Sequence, residues 1–360
     1  MNASATVRAS YIRQARVSII GHPVIALRPR SAHEDKLKDF VHVDHVEHRQ
    51  KCESERVAAP AVFDLEKDAD MKEIYIEDKF VDSTDNLSVM EWEESSSTRV
   101  RLKKMVTVFP YRDPIYLVAI ILLLGSIDLV INAFFDLLPR LYPSSSFAES
   151  EQDIVAVPLT ILIGSILFFI AGVFDTFGAL NADSGQIGAT KTKPNKVMYR
   201  PALVGTPQFC WIPSRAKLLD LTVNSLAFQA GLIVLFGGVI FMFGGIVDFP
   251  GVVDEESPYF SSIVFGPQVV HGMLFFVGNA MLAFSEQERW YKPKITDPDW
   301  ISAFLNTIGG FAFMMAGIFL FQKEASVEEG EIRAAIAAMV GSWAFLVGSV
   351  IRWYVVLEVW

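Results

Sequence analysis

Two ionisable side chains, Asp128 and His271, stand well inside long apolar stretches of this 360-residue chain. A charge in a bilayer core is costly, so such residues are candidates for handling ions or protons. A histidine near an aspartate would bind or relay a proton, since small shifts carry imidazole across neutral pH. The structural alternative is a buried pair that joins two helices. Asn224, Asn279 and Asn306 lie in the same stretches and, being uncharged, suit interhelical hydrogen bonding. No Walker loop, dinucleotide-binding glycine fingerprint, H-E-x-x-H or C-x-x-C occurs. With no nucleophile–base set in the apolar stretches either, we expect a non-enzymatic chain with no cofactor.

Outside the apolar body, His45, His48 and Cys52 would share a face of a helix. A structural metal site wants four ordered ligands at a recognised spacing, and charged residues interleave these, so no metal site is expected. The formal charge of −10 argues against nucleic-acid binding.

The elements that must position Asp128 and His271 are membrane-length. Apolar stretches run at about 115–138, 154–176, 220–247, 260–284, 300–322 and 332–356, each near the ~20 residues a bilayer crossing needs. The fold class expected is all-α: a six-transmembrane-helix bundle over 111–360, in the lipid bilayer, preceded by a polar, mostly disordered cytosolic tail over 1–110. Connection charge alternates. Arg99, Arg101, Lys103, Lys104 and Arg112 precede the first crossing, and Lys191, Lys193, Lys196, Arg200, Arg215 and Lys217 fill the second connection. The third carries only Asp248, Asp254, Glu255 and Glu256. Basic connections stay on the cytosolic side, so both termini should be cytosolic.

Counted from the cytosolic ends at 1.5 Å per residue, Asp128 and His271 both lie at about 21 Å depth. Asn224 and Asn279 fall at about 9 Å and Asn306 at about 10 Å. Two inward-facing polar levels are expected. Equal depth permits an Asp128–His271 contact without establishing one.

A glycine phrase recurs through the crossings. GSIDLVINAFFD (Gly125–Asp136), GSILFFIAGVFD (Gly164–Asp175) and GGVIFMFGGIVD (Gly237–Asp248) share it, as do GGFAFMMAGIFL from Gly309 and GSWAFLVGSVIR from Gly341. The fourth crossing matches least, through Gly272 and Phe276. Small residues four or eight apart let helix backbones approach closely in lipid. Gly125, Gly164, Gly172, Gly237, Gly245, Gly309, Gly317 and Gly341 should therefore face neighbouring helices. Duplication of a hairpin and convergent packing both account for the repetition.

These recurring Gly-Ser-x-x-Phe-x-x-x-Gly helices resemble the YrhK-like membrane domain. The body from Met198, with YRPALVGTPQFCWIP, LAFQAGLIVLFGG and ERWYKP, is similar to a family of large fungal multi-pass integral membrane proteins. That resemblance implies a membrane location and no established activity, so it transfers no functional residue.

In the tail, Met1 to Arg30 carries five arginines and no acid. That is the composition of a mitochondrial transit peptide or of a basic disordered terminus, with Gly21-His22-Pro23 limiting any helix. From Asp64 to Glu94, twelve acidic residues face three basic ones, ahead of Ser95-Ser96-Ser97-Thr98. Such a stretch buries too little apolar surface to order itself. The expected function is a scaffold or regulatory membrane protein whose tail recruits protein partners, in a plasma or endomembrane rather than the mitochondrial inner membrane. The alternative is a small-solute or proton-coupled transporter using Asp128 and His271. A cysteine introduced as Glu255→Cys is expected to be labelled only from the side opposite both termini. Labelling from the cytosolic side would contradict this topology.

Overall fold

The computed structural model describes residues 3–21, 90–91, 98–142, 152–190, 193–254, 256–287, 289, 291–321 and 327–357. The histidine patch and most of the acidic stretch lie outside them. Six helices are long and apolar enough to cross a membrane. They are α3 (Pro114–Leu141), α4 (Gln152–Leu180), α6 (Leu226–Val247), α7 (Phe260–Ser285), α8 (Pro298–Phe321) and α9 (Val327–Val356). Their outer faces are apolar, as Leu124, Ile127 and Ile131 on α3 or Val340, Trp343 and Val347 on α9 show. With apolar residues both inside and outside, this is a multi-pass membrane protein.

Each crossing packs on its neighbours in chain order, and α9 returns to α3, so the six close a ring. Glycines set the contacts. A Cβ on Gly125, Gly237 or Gly309 would stand 3.0, 2.8 or 2.6 Å from the ring of Phe168, Phe275 or Phe345 respectively. Each pair joins the two helices of one hairpin: α3–α4, α6–α7 and α8–α9. The next residue packs on the preceding hairpin. Ser126 Oγ lies 3.1 Å from Ser349 Oγ on α9, a Cβ on Gly238 would lie 3.2 Å from Phe169 Cα on α4, and Gly310 abuts the Phe276 backbone on α7. The bundle is thus three equivalent hairpins around a pseudo-threefold axis.

On that axis Phe168, Phe275 and Phe345 form a triangle, with ring centroids 5.7, 5.9 and 5.3 Å apart. Leu129, Phe241 and Phe313, each four residues after the first glycine of its hairpin, complete an apolar plug at mid-depth. Close aromatic pairs add about 0.5–1.5 kcal/mol each beyond area burial.

Helix α1 (Ala3–Gly21) changes the picture of the tail, because residues 3–21 form a helix built into the bundle. It ends at the Gly21 break and packs on α4 and α6. Its buried Ser4, Arg8 and Ile12, four apart, share a face. Asp175 on α4 accepts hydrogen bonds from Ala3 N, Ser4 N and Ser4 Oγ at 3.3, 3.0 and 2.6 Å, satisfying helix-end donors as an N-cap does. Arg8 donates twice to Asp113, at 2.9 and 2.6 Å, and faces the Tyr199 ring. Asp113 also caps α3 by accepting from Ile115 N, ahead of Pro114 at the first helical position. Burial pulls the Arg8 guanidinium down, but the Asp113 carboxylate outweighs it and holds the group above its usual value. Helix α1 thus closes the end of the ring that carries both termini, here called the terminal face.

Short helices α2 (Thr98–Thr107) and α5 (Arg215–Asn224) lie at the same face. So does a small antiparallel sheet in the order β1 (Met90–Glu91), β3 (Lys193–Arg200), β2 (Gln186–Thr190). The long connection expected as an irregular loop therefore contains the β2–β3 pair, anchored where the Tyr199 hydroxyl donates to Ala182 O at 2.7 Å. The third crossing starts at 226, not 220, because Ser225 breaks the helix with extended backbone and caps α6 through Phe228 N.

The ring contacts grade the glycines. A Cβ on Gly272 or Gly310 would meet the backbone of Met314 or Phe276, whereas Gly266 has nothing within 4 Å. Gly272→Ala and Gly310→Ala should each destabilise the bundle by about 1–3 kcal/mol, as overpacking does, and Gly266→Ala should be near neutral. Unfolding in detergent, followed by circular dichroism against denaturant, checks the ranking; equal midpoints for all three would contradict it.

Candidate functional site

Below the plug, towards the terminal face, the interior is small and polar. Asn279 is buried and donates to Phe275 O at 2.8 Å. Ser302 Oγ donates to Gly348 O at 2.9 Å, and Asn306 lies buried against Gly348. Two of the three expected asparagines thus sit in one interior region. Asn224 does not: it ends α5, exposed, and donates to Asp220 Oδ1 at 2.6 Å. The break at Ser225 places it outside the crossing.

Asp128 also departs from the expected inward orientation. It is half-buried in the seam between α3 and α4, with its carboxylate laid over Gly164, where a Cβ would stand 2.8 Å from Oδ2. His271 is on α7, across the ring from α3, so the two residues share a level without meeting. The eight glycines singled out by the repeat all face neighbouring helices; Gly172 meets Leu235, Gly245 meets Leu162 and Gly317 meets Val269.

His271 holds a distinctive place in the pseudo-symmetry. It lies four residues before Phe275, as Gly164 precedes Phe168 and Gly341 precedes Phe345. The fourth crossing therefore aligns through His271 and Phe275, one residue earlier than the Gly272–Phe276 register. Gly164 packs against Leu129 and Gly341 against Phe313. In the α6–α7 hairpin the imidazole takes that place and stacks on Phe241 at 4.3 Å, edge-on to Phe275.

His271 forms part of the floor of a cavity of about 240 Å³, bordered by residues from all six crossings. The cavity runs from the plug residues Leu129, Phe241 and Phe313 past Asn132, Gln268 and Ala316 to Asp136, Arg140, Asp248 and Glu331. Those last four mark the face opposite the terminal one. Arg140 donates to Asp136 Oδ1 at 3.1 and 2.7 Å and also pairs with Glu331, tying α3 to α9. The side chains of Arg140 and Glu331 keep 33% and 40% exposure, so the cavity mouth reaches the surface. Asp136 and Asp248 are pseudo-equivalent, each eleven residues after the first glycine of its hairpin, Gly125 and Gly237. No cation among the described residues pairs with Asp248. Burial, then the charge of Asp136, push its carboxyl up to about 6.

Of these four, Asp136 and Asp248 entered the sequence reading, as ends of the repeat and, for Asp248, as loop charge. Two signals point to them: the i,i+4 spacing of Asp136 and Arg140, and the shared repeat position of Asp136 and Asp248. Among the described residues no three His, Cys, Asp or Glu side chains are arranged to hold a metal ion. Comparison with family models, curated proteins and solved structures finds no match in any of the three.

Proposed function

We propose that the chain is a non-enzymatic, regulatory membrane protein that admits a small ligand from one side and relays its presence to the N-terminal segment on the other. The observation that carries this is the cavity: all six crossings contribute to it, its mouth is charged, and its floor is the aromatic plug. The alternating connection charge supports a cytosolic terminal face, with the cavity mouth on the opposite side.

Two rigid elements link floor and terminal face. Helix α4 carries Phe168 of the plug and, two turns on, Asp175 that caps α1. Helix α6 carries Phe241 and also Gly231, against which Ala3 packs. A ligand that shifts either phenylalanine would bias the docking of α1, and with it the acidic, Ser/Thr-containing segment that would recruit partners. The use of Arg8 in a buried ion pair favours retention of the N-terminal stretch over its removal as a transit peptide.

The carrier alternative rests on His271 at the cavity floor. It needs a polar path across the membrane, which the plug and α1 interrupt, and Asp128 lies outside the cavity. Proteoliposome proton and potassium flux separates the two. The regulatory proposal predicts no flux above empty vesicles for wild type or His271→Ala. It also predicts altered amide exchange over residues 3–12 when Ala316→Cys is filled by a small thiol reagent. Wild-type flux abolished by His271→Ala would overturn it in favour of a carrier.

A further inference from the structure

Among the described residues the cavity lining carries more hydrogen-bond acceptors than donors, the Gln268 amide being one of the donors. His271 Nδ1 lies 3.0 Å from Pro267 O. A carbonyl only accepts, so Nδ1 carries the proton, and in the neutral ring Nε2 is a bare acceptor. The residue is 3% exposed, and Nε2 is sealed from solvent with no partner among the described residues. Its ring is held by Phe241, Phe275 and Phe313.

Among the described residues, three carboxylates stand at the mouth, Asp136, Asp248 and Glu331, with one cation, Arg140, already shared by two of them. Asn132 spends its Nδ2 on Val157 O and Thr160 Oγ1, at 2.8 and 2.9 Å. Such a lining repels an anion and offers a neutral acceptor the Gln268 amide. A group bringing several N–H donors and a positive charge satisfies it, and phenylalanine faces attract cations as well.

Resting on the one-sided binding proposed above, we infer that the ligand is a small organic cation, a protonated amine, with its ammonium at Asp248 in the mouth and its apolar part on the aromatic floor that Phe241 and His271 form. The ammonium takes the place of the missing cation beside Asp248, and its apolar remainder lies against Phe241, Phe265 and Phe313. Among the described residues, the ionisable groups that line the cavity with Asp248 are Asp136 and Arg140 from α3, His271 from α7 and Glu331 from α9, with none from α4 or α8. Because Asp248 titrates near 6, its charge is present above that pH and is lost as pH falls through it. Affinity for an amine should fall in the same direction.

The test is calorimetric titration of the full chain in nanodiscs with benzylamine, benzyl alcohol and benzoate. Benzylamine, protonated throughout the range used, should bind at about pH 7.5 at least tenfold more tightly than the other two. That preference should drop about tenfold in Asp248→Asn and again at about pH 5. Benzyl alcohol or benzoate binding as well as benzylamine, or benzylamine binding untouched by Asp248→Asn, would overturn the ligand class and leave one-sided binding standing. Failure of benzylamine to bind folded wild type would overturn the class too. If, in addition, Ala316→Cys proved inaccessible to thiol reagent from the cavity side, one-sided binding would fall with it.

Discussion

The bundle depends on one kind of contact, a helix glycine against the phenylalanine of its hairpin partner. In lipid no hydrophobic force drives helices together, so association rests on close van der Waals fit. Gly125, Gly237 and Gly309 let α4, α7 and α9 come near enough for Phe168, Phe275 and Phe345 to meet on the axis. From that triangle follow the ring order, the plug that divides the interior, and the cavity on one side of it. The hairpin equivalence is visible contact by contact. It favours repetition of one unit over unrelated glycine packing.

The two ends of the ring differ in how their charges are met. At the terminal face Arg8 and Asp113 neutralise each other in a buried bidentate pair, Asp175 caps α1, and Arg352 donates to Asp299 at 2.7 Å. Removing one partner from a buried pair of this kind typically costs about 3–5 kcal/mol, so this face is built to stay closed. At the cavity mouth Arg140 serves two carboxylates and Asp248 is left over. His271 breaks the symmetry on the same side, a polar group where the other two hairpins place glycine.

Much of this architecture is legible in the chain. Twenty-residue apolar runs and small residues four apart are local signals, so the crossings and the inward glycine faces follow from sequence alone. What escapes the sequence is set by partners far away or by a single local break. Asn224 leaves the membrane because Ser225 caps a new helix. Asp128 turns into a seam because the absent side chain of Gly164 opens room for it. Helix α1 gathers its apolar residues into no stripe, and its partners Asp175 and Asp113 lie 171 and 105 positions from Ser4 and Arg8. The cavity gathers residues from six helices, none unusual alone; the shared repeat position of Asp136 and Asp248 and the i,i+4 spacing of Asp136 and Arg140 point to its mouth.

The central claim, that the plug leaves a cavity reachable from one face only, is tested most directly by thiol accessibility. In a background with Cys52 and Cys210 replaced by serine, Ala316→Cys lies in the cavity and Ser302→Cys lies beyond the plug. A membrane-impermeant thiol reagent applied from the face opposite the termini should label Ala316→Cys and leave Ser302→Cys unmodified. Labelling of Ser302→Cys from that face, at a rate comparable with Ala316→Cys, would contradict the account.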